Sequence, residues 1–163
     1  MINKGWRFET TELKYVSEVL ANGFGASETG AFTERLEQSF ANKHNQKYAI
    51  GCNSGTSTLH AALEAFGIGP GDEVIIPSLT VAMCGYVVTH ANATPVYADV
   101  CKDTFNIDPK DIRKKITPKT KAIMVVHLYG LMCDMEEIEK IAKEYGLYIL
   151  EDCAQCFLAT DHR

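Results

Sequence analysis

The alternation of short apolar runs with helix-length segments constrains the fold of this 163-residue chain more than any other feature. From residue 48 onward, glycine or proline separates segments of strand length from segments of helical length. The predicted strands are Tyr48–Gly51, Glu73–Ile76, Pro95–Ala98, Lys121–Leu128 and Leu147–Glu151. Such alternation is typical of βαβ units, in which helices cover both faces of a parallel sheet. We therefore predict an α/β fold with three αβα layers around a mostly parallel sheet.

Local start and stop signals delimit the predicted helices. Asp108 followed by Pro109 is a favourable helix start, as is Asp134, whereas Gly146 is a favourable stop. Apolar residues at helical spacing predict two further helices before the first strand. The predicted helices are Thr10–Leu20 (ended by Asn22–Gly25), Ala31–Lys43, Thr56–Phe66, Thr80–His90, a short helix from Asp108, and Met135–Tyr145.

Composition and charge restrict the partners of the chain. Hydrophobic residues make up 46% and charged residues 23%, an ordinary balance for a globular protein, and the net charge is -5. A negative charge without a basic stripe argues against nucleic-acid binding. No apolar run reaches membrane-spanning length, and Met1–Trp6 lacks the apolar core of a signal peptide. We expect a cytoplasmic protein without nucleic-acid or membrane partners.

The six cysteines are predicted to be reduced, most of them in apolar surroundings. Cys153 and Cys156 form a CxxC pair, but a zinc site would need a second close pair or two histidines at short spacing. A thioredoxin-like motif would open a helix after the first strand of its fold, not after a late strand. We expect no metal site, and we interpret this pair as two thiols beside a ligand site.

The segment Asn53–His60 leads from a predicted strand into a predicted helix through glycine and hydroxyl residues. The first N–H groups of a helix have no intrahelical acceptor, and the helix dipole adds partial positive charge there. Gly55, Thr56 and Ser57 are therefore candidate ligands of a phosphate group. The same residue types also form ordinary N-caps, so both interpretations stay open at this point.

A second candidate element is the run Tyr148–Asp152, which we interpret as a buried parallel strand that ends in two carboxylates. Open parallel sheets bind ligands at the carboxyl ends of their strands, where Asp152 would lie. The candidate phosphate cradle lies at the corresponding end of another predicted strand. A phosphate and a carboxylate could therefore face one crevice.

A series of short motifs extends these two elements over the chain from about Leu13 to about Ala159. The motifs are Ser54–Ser57, Gly67–Ile75, Pro77–Ser78, Ala93–Val96, Asp103–Asp108, Ile116–Ile123, Val126–Gly130 and Ile149–Gln155. In this order they resemble the DegT/DnrJ/EryC1/StrS family of pyridoxal-phosphate-dependent sugar aminotransferases, which have the fold type I of aspartate aminotransferase. The number and order of the motifs make the resemblance specific.

The resemblance implies a cofactor role for residues in both elements. Gly55, Thr56 and Ser57 would hold the phosphate of pyridoxal 5'-phosphate. Asp152 would lie against the pyridine nitrogen and keep the ring protonated, because an opposite charge favours the cationic form. Gln155 would bond the 3-hydroxyl group of the ring.

The resemblance says less about the roles of two further residues, Val81 and His127. Family members usually have an aromatic residue at the position of Val81, which stacks on the cofactor ring; valine can cover the ring but forgoes about 0.5–1.5 kcal/mol of aromatic stacking. His127 is predicted at the same sheet edge. It is a candidate substrate residue, and a satisfied structural histidine is an equally good interpretation.

One functional group that the resemblance implies has no match in this sequence. The family attaches its cofactor through a Schiff-base lysine, a few tens of residues beyond the position of Asp152. We therefore expect that lysine beyond Arg163 and expect no catalytic residue within the chain itself. Residues 1–163 would form the N-terminal portion of the cofactor-binding large domain, without the small C-terminal domain of the family.

The implied activity is a pyridoxal-phosphate-dependent aminotransferase acting on a nucleotide-linked keto sugar in amino-sugar biosynthesis. Glutamate is the expected amino donor, and the complete protein is expected to be a homodimer. Two alternatives remain open. One is a dehydratase of the same family with a different residue at the lysine position, and the other is a non-catalytic remnant that binds a partner chain.

Overall fold

The computed structural model describes residues 10–22 and 30–159, and the chain divides into two compact units, residues 1–51 and 52–163. The first unit contains helices α1 (Thr10–Asn22) and α2 (Gly30–Lys43). Both helices were predicted, with ends that differ by one or two residues. The predicted stop of α1 at Asn22–Gly25 lies mostly outside the described residues.

The second unit contains a four-stranded parallel sheet with the strand order β2-β1-β3-β4. Its elements are α3 (Gly55–Ala65), β1 (Glu73–Pro77), α4 (Met83–His90), β2 (Thr94–Ala98), α5 (Pro109–Lys115), β3 (Thr120–Val126), a 3-10 turn (Leu128–Gly130), α6 (Met135–Tyr145) and β4 (Tyr148–Asp152). The predicted α/β class is confirmed. None of the helices within residues 10–22 and 30–159 is long and apolar enough to span a membrane.

Two hydrophobic clusters lie on opposite faces of this sheet. Val74 and Ile76 of β1 belong to the cluster that contains residues of α3 and α4. Ile75, between them, belongs to the cluster that contains residues of α5 and α6. Successive strand residues point to opposite faces, and each fully buried aliphatic side chain contributes roughly 1.5–3 kcal/mol. The predicted αβα layering is therefore confirmed.

The parallel registers bring the carboxyl ends of the strands to one edge of the sheet. Pro77 at the end of β1 pairs with Ala98 at the end of β2. Val126 at the end of β3 pairs with Asp152 at the end of β4. The N–H of His127 then donates to the Asp152 carbonyl at 3.2 Å, which extends this pairing by one residue. Side chains that follow β1, β3 and β4 can thus converge.

The prediction of a strand at Tyr48–Gly51 was wrong for this chain. The segment is irregular, and Tyr48 and Ile50 are 74% and 81% exposed. An extended segment becomes a strand only with a hydrogen-bonded neighbour, and no strand of the described residues pairs with it. The amide of Gly51 instead donates to the Glu37 carboxylate at 2.7 Å.

The interpretation of Tyr148–Asp152 as a fully buried strand also needs correction. β4 pairs with β3 and is the last strand of the described sheet, so its residues are exposed or half-buried. Parallel strands are fully buried only when both edges and both faces are covered. The strand itself and its carboxylate terminus are nevertheless confirmed.

We predict that Gly146→Ala lowers the free energy of unfolding by about 1 kcal/mol, because Gly146 ends α6 with a left-handed φ of 66° that disfavours an L-residue. Urea denaturation measures the change. Gly69→Ala is the matched control, since its new Cβ would meet only Ala91 O at an ordinary 3.8 Å. Equal unfolding midpoints for the two variants would contradict the expectation.

Candidate cofactor site

Helix α3 is oriented with its N-terminus toward the carboxyl edge of the sheet. Phe66, which ends the helix, stacks on Tyr148 at the start of β4 with ring centroids 4.4 Å apart. The eleven residues of α3 and the five residues of β4 each span about 16 Å. The N-terminus of α3 therefore lies on the side of the sheet on which β4 ends at Asp152.

The N-terminus of α3 has a capping residue and also presents backbone N–H donors. Ser54 is the N-cap, and its hydroxyl oxygen accepts a hydrogen bond from the Ser57 amide at 3.2 Å. The Ser57 hydroxyl donates to Asn53 Oδ1 at 2.7 Å. The amides of Gly55 and Thr56 precede these contacts, and helix geometry gives them no intrahelical acceptor. The N-cap interpretation and the phosphate-site interpretation, which the sequence left open, are thus compatible.

The donor set at this position fits a phosphate group. A Cβ added at Gly55 would have no atom within 4 Å, so the space beside its Cα is open. Free amides at a helix N-terminus, together with the helix dipole, favour a bound anion. Gly55 and Thr56 present such amides, whereas both donors of Ser57 are engaged with Ser54 and Asn53. Ser57 would contact a phosphate only after its hydroxyl rotates.

The Asp152 carboxylate is held by one hydrogen bond to each oxygen. Oδ1 accepts from the Ala154 amide at 3.0 Å, within the turn that follows β4. Oδ2 accepts from the Cys84 thiol of α4 at 3.7 Å. An oriented, half-buried carboxylate at a sheet edge fits the pyridine nitrogen of the implied cofactor, because it stabilises a proton on that nitrogen.

Gln155 is oriented by the loop that follows β3. Its Oε1 accepts from the Tyr129 amide at 2.7 Å, which leaves the Nε2 protons as donors directed elsewhere. Tyr129 has a left-handed φ of 56°, and Gly130 follows with a φ of 81°. A non-glycine residue held in this region is strained, and such strain is common at functional sites. The Gln155 amide therefore fits the predicted contact with a hydroxyl oxygen.

Val81 lies in the connection between β1 and α4 and is exposed. Its carbonyl accepts from the Cys84 amide at 3.1 Å, so Val81 lies one turn before the thiol that contacts Asp152. The exposed apolar surface is thus at the same sheet edge as the carboxylate. Its role as a cover for the cofactor ring stays a prediction.

The side chain of His127 is buried, and both of its ring nitrogens are hydrogen-bonded within the chain. Its side chain is 0% exposed, Nε2 lies 3.0 Å from Glu151 Oε2, and Nδ1 accepts from the Cys133 amide at 3.1 Å. With both ring nitrogens occupied and no exposed surface, this geometry does not support contact with a substrate. Of the two interpretations of His127 from the sequence, the structural one is therefore favoured.

The protonation of His127 is set by opposing effects. Burial lowers the pKa of His127, but hydrogen bonds with Cys133, Cys153 and Glu151 outweigh burial and raise this pKa. The backbone amide of Cys133 nevertheless donates to Nδ1, which leaves no room for a second ring proton on that nitrogen. We therefore assign the neutral tautomer, with the proton on Nε2 donated to Glu151.

The same tautomer argues against a metal at this position. His127, Glu151 and Cys153 bring three possible ligand atoms within 4.8 Å of one another. A metal would need the lone pair of Nε2 and hence a proton on Nδ1, where the Cys133 amide already donates. The geometry therefore favours a hydrogen-bonded network over a metal site.

The cysteines are all free thiols, but only half of them are buried. Cys84, Cys133 and Cys156 are buried, Cys101 is half-buried, and Cys52 and Cys153 are exposed, so the core-like surroundings expected for most of the six are found for three. Within the CxxC pair, Cys156 Sγ contacts Gly130 O at 3.7 Å and Met132 Sδ at 3.4 Å.

The contact of Cys84 with Asp152 was missed by sequence reasoning. The two residues are 68 positions apart, and Cys84 lies in an apolar helical segment that resembles ordinary core. No local pattern predicts such a contact. Only the tertiary packing of α4 on the sheet brings the two residues together.

Residues 7–163 match the model of the DegT/DnrJ/EryC1/StrS aminotransferase family. The chain belongs to this family. It is 46% identical over 154 residues to the GDP-perosamine synthase of Caulobacter vibrioides, covering 94% of this chain and 41% of that protein. The chain spans about 40% of the length of the curated relatives it matches.

Solved structures confirm the fold and indicate the cofactor. An aminotransferase from Psychrobacter cryohalolentis superposes with a TM-score of 0.90 at 41% identity, covering 96% of this chain and 40% of that one. NtdA from Bacillus subtilis, solved with bound PMP, superposes with a TM-score of 0.83 at 35% identity, covering 92% and 34%. The expected fold type I is confirmed, and the family and this neighbour indicate pyridoxal phosphate.

We predict that His127→Leu lowers the free energy of unfolding by about 1–3 kcal/mol, because the buried Cys133 amide loses its acceptor. The folded variant should keep its affinity for pyridoxal phosphate, since both ring nitrogens of His127 are already hydrogen-bonded within the chain. Urea denaturation and an absorbance titration measure the two quantities.

His90→Leu is the matched control for this prediction, because His90 is exposed at the end of α4. Its effect on stability should stay within about 0.5 kcal/mol. A stable His127→Leu variant with weakened cofactor binding would show that His127 is a ligand residue instead.

Proposed function

We propose that this chain forms the cofactor-binding part of a pyridoxal-phosphate-dependent aminotransferase that acts on a nucleotide-linked keto sugar in amino-sugar biosynthesis. The observation that carries the proposal is the anchored Asp152 carboxylate at the sheet edge toward which the N-terminus of α3 is directed. The similarity to a GDP-perosamine synthase supports the substrate class. Residues 1–163 would be the N-terminal portion of the large domain.

The residues of this chain would bind and orient the cofactor. The amides of Gly55 and Thr56 would hold its phosphate, with Ser57 as a further donor. Asp152 would hold a proton on the ring nitrogen, and the Gln155 amide would donate to the ring oxygen. When bound, pyridoxal phosphate supplies an electron sink for the carbanion that forms at the amino-acid carbon.

Val81 would cover one face of the ring and exclude water from it. Because valine lacks an aromatic face, we expect weaker stacking than an aromatic residue gives, by about 0.5–1.5 kcal/mol. Its exposed position one turn before Cys84 supports this role.

The group that attaches the cofactor covalently and moves the proton would be a lysine beyond Arg163. That region corresponds to the length of the relatives that this chain does not span. We further propose a nucleotide sugar as acceptor, glutamate as amino donor, and a cytoplasmic homodimer as the complete form.

We predict that Asp152→Asn in the complete gene product lowers kcat by about a hundredfold or more, because an opposite charge shifts the pKa of its partner by about 1–3 units. The fold should persist, as circular dichroism would show. Amino-group transfer from glutamate to a nucleotide-linked keto sugar, followed by mass spectrometry of the product, measures the activity.

Asp103→Asn is the control, because Asp103 is an exposed carboxylate outside the site. Its turnover should equal that of the parent. Near-normal turnover of Asp152→Asn would contradict the assignment of Asp152, and a dehydrated sugar without nitrogen would identify a dehydratase instead.

A further inference from the structure

Cys84 is a buried thiol that touches the key carboxylate of the site. It lies at the second position of α4 and is 0% exposed. Its Sγ lies 3.7 Å from Asp152 Oδ2 and 3.4 Å from Thr80 Oγ1. No cofactor-binding role has been assigned above to this thiol.

The chemistry of the three groups fixes the direction of both hydrogen bonds. An ionised carboxylate only accepts, so the Cys84 thiol donates to Asp152. The sulfur can then accept from the Thr80 hydroxyl, which completes a chain from Thr80 through Cys84 to Asp152. Burial raises the pKa of Cys84, the Thr80 contact lowers it, and the Asp152 charge raises it again, with a net rise that keeps the thiol protonated.

The two donors on Asp152 come from different elements of the fold. The Ala154 amide belongs to the turn after β4, whereas Cys84 belongs to α4. Rotation of the carboxylate would break at least one of the two contacts. The packing of α4 on the sheet is thereby coupled to the orientation of Asp152.

We propose that Cys84 is a positioning residue for Asp152, whose carboxylate it orients for contact with the cofactor ring nitrogen. This inference rests on the proposed cofactor role of Asp152. Cys84 does not itself touch the cofactor, so it acts only through the carboxylate. Because a thiol is a weak donor, its contribution is orientation more than charge.

The first test uses no cofactor. The infrared S–H stretching band of Cys84 is assigned by difference between the parent protein and the Cys84→Ser variant. In the Asp152→Asn variant this band should move to higher frequency, because a neutral amide oxygen is a weaker acceptor than a carboxylate. An unmoved band would show that the thiol does not donate to Asp152 and would overturn the proposal.

The second test measures cofactor binding by the complete gene product. Cys84→Ala should raise the dissociation constant of pyridoxal phosphate by about three- to tenfold, as expected for the loss of one hydrogen bond. It should also shift the pH titration of the bound cofactor's absorbance. Cys84→Ser restores a donor and should bind within about twofold of the parent.

The control is Cys101→Ala, a half-buried thiol outside the site, which should leave both readouts unchanged. A folded Cys84→Ala variant with parental affinity and pH titration would overturn the proposal. If the parent itself bound no pyridoxal phosphate, the proposed function would fall and this inference with it. A moved S–H band would then still establish the thiol–carboxylate contact as structural.

Discussion

The parallel pairing of β3 with β4 is the interaction on which the rest of the site depends. Five residues of β4 pair in register with β3, and the His127 amide continues the pairing to the Asp152 carbonyl. This pairing fixes the height of Asp152 at the sheet edge and places the turn that carries Gln155 beside the loop after β3. A shift by one residue would turn Asp152 to the other face of the sheet.

A buried amide side chain, that of Asn106, bonds to the loop after β3 at three points. Asn106 Oδ1 accepts from the Leu128 amide at 3.1 Å, and its Nδ2 donates to the carbonyls of Leu131 and Met132. These contacts confine the left-handed Tyr129, whose amide orients Gln155 at 2.7 Å. On the other side of the site, the packing of α4 brings a thiol to Asp152. Two buried side chains, Asn106 and Cys84, therefore support the loop beside Gln155 and the carboxylate of Asp152.

Features that depend on local chemistry were predictable from the sequence. Asp108 and Asp134 cap their helices, and Gly146 ends α6 in the left-handed region, as their positions indicated. Features that depend on a distant neighbour were not predictable. The segment Tyr48–Gly51 has strand composition but no paired neighbour among the described residues, and the contact of Cys84 joins positions 68 residues apart. The candidate site residues could be named from the resemblance. That Ser57 and His127 already form hydrogen bonds within the chain is seen only in the three-dimensional structure.

Locating the lysine that binds the cofactor covalently is the most direct test of the proposed function. The complete gene product is incubated with pyridoxal phosphate, reduced with borohydride, digested, and mapped by mass spectrometry. We predict a single labelled lysine beyond Arg163, in a protein whose bound cofactor depends on Asp152. Labelling confined to lysines within residues 1–163, or no labelling at all, would contradict the placement of the cofactor between α3 and Asp152.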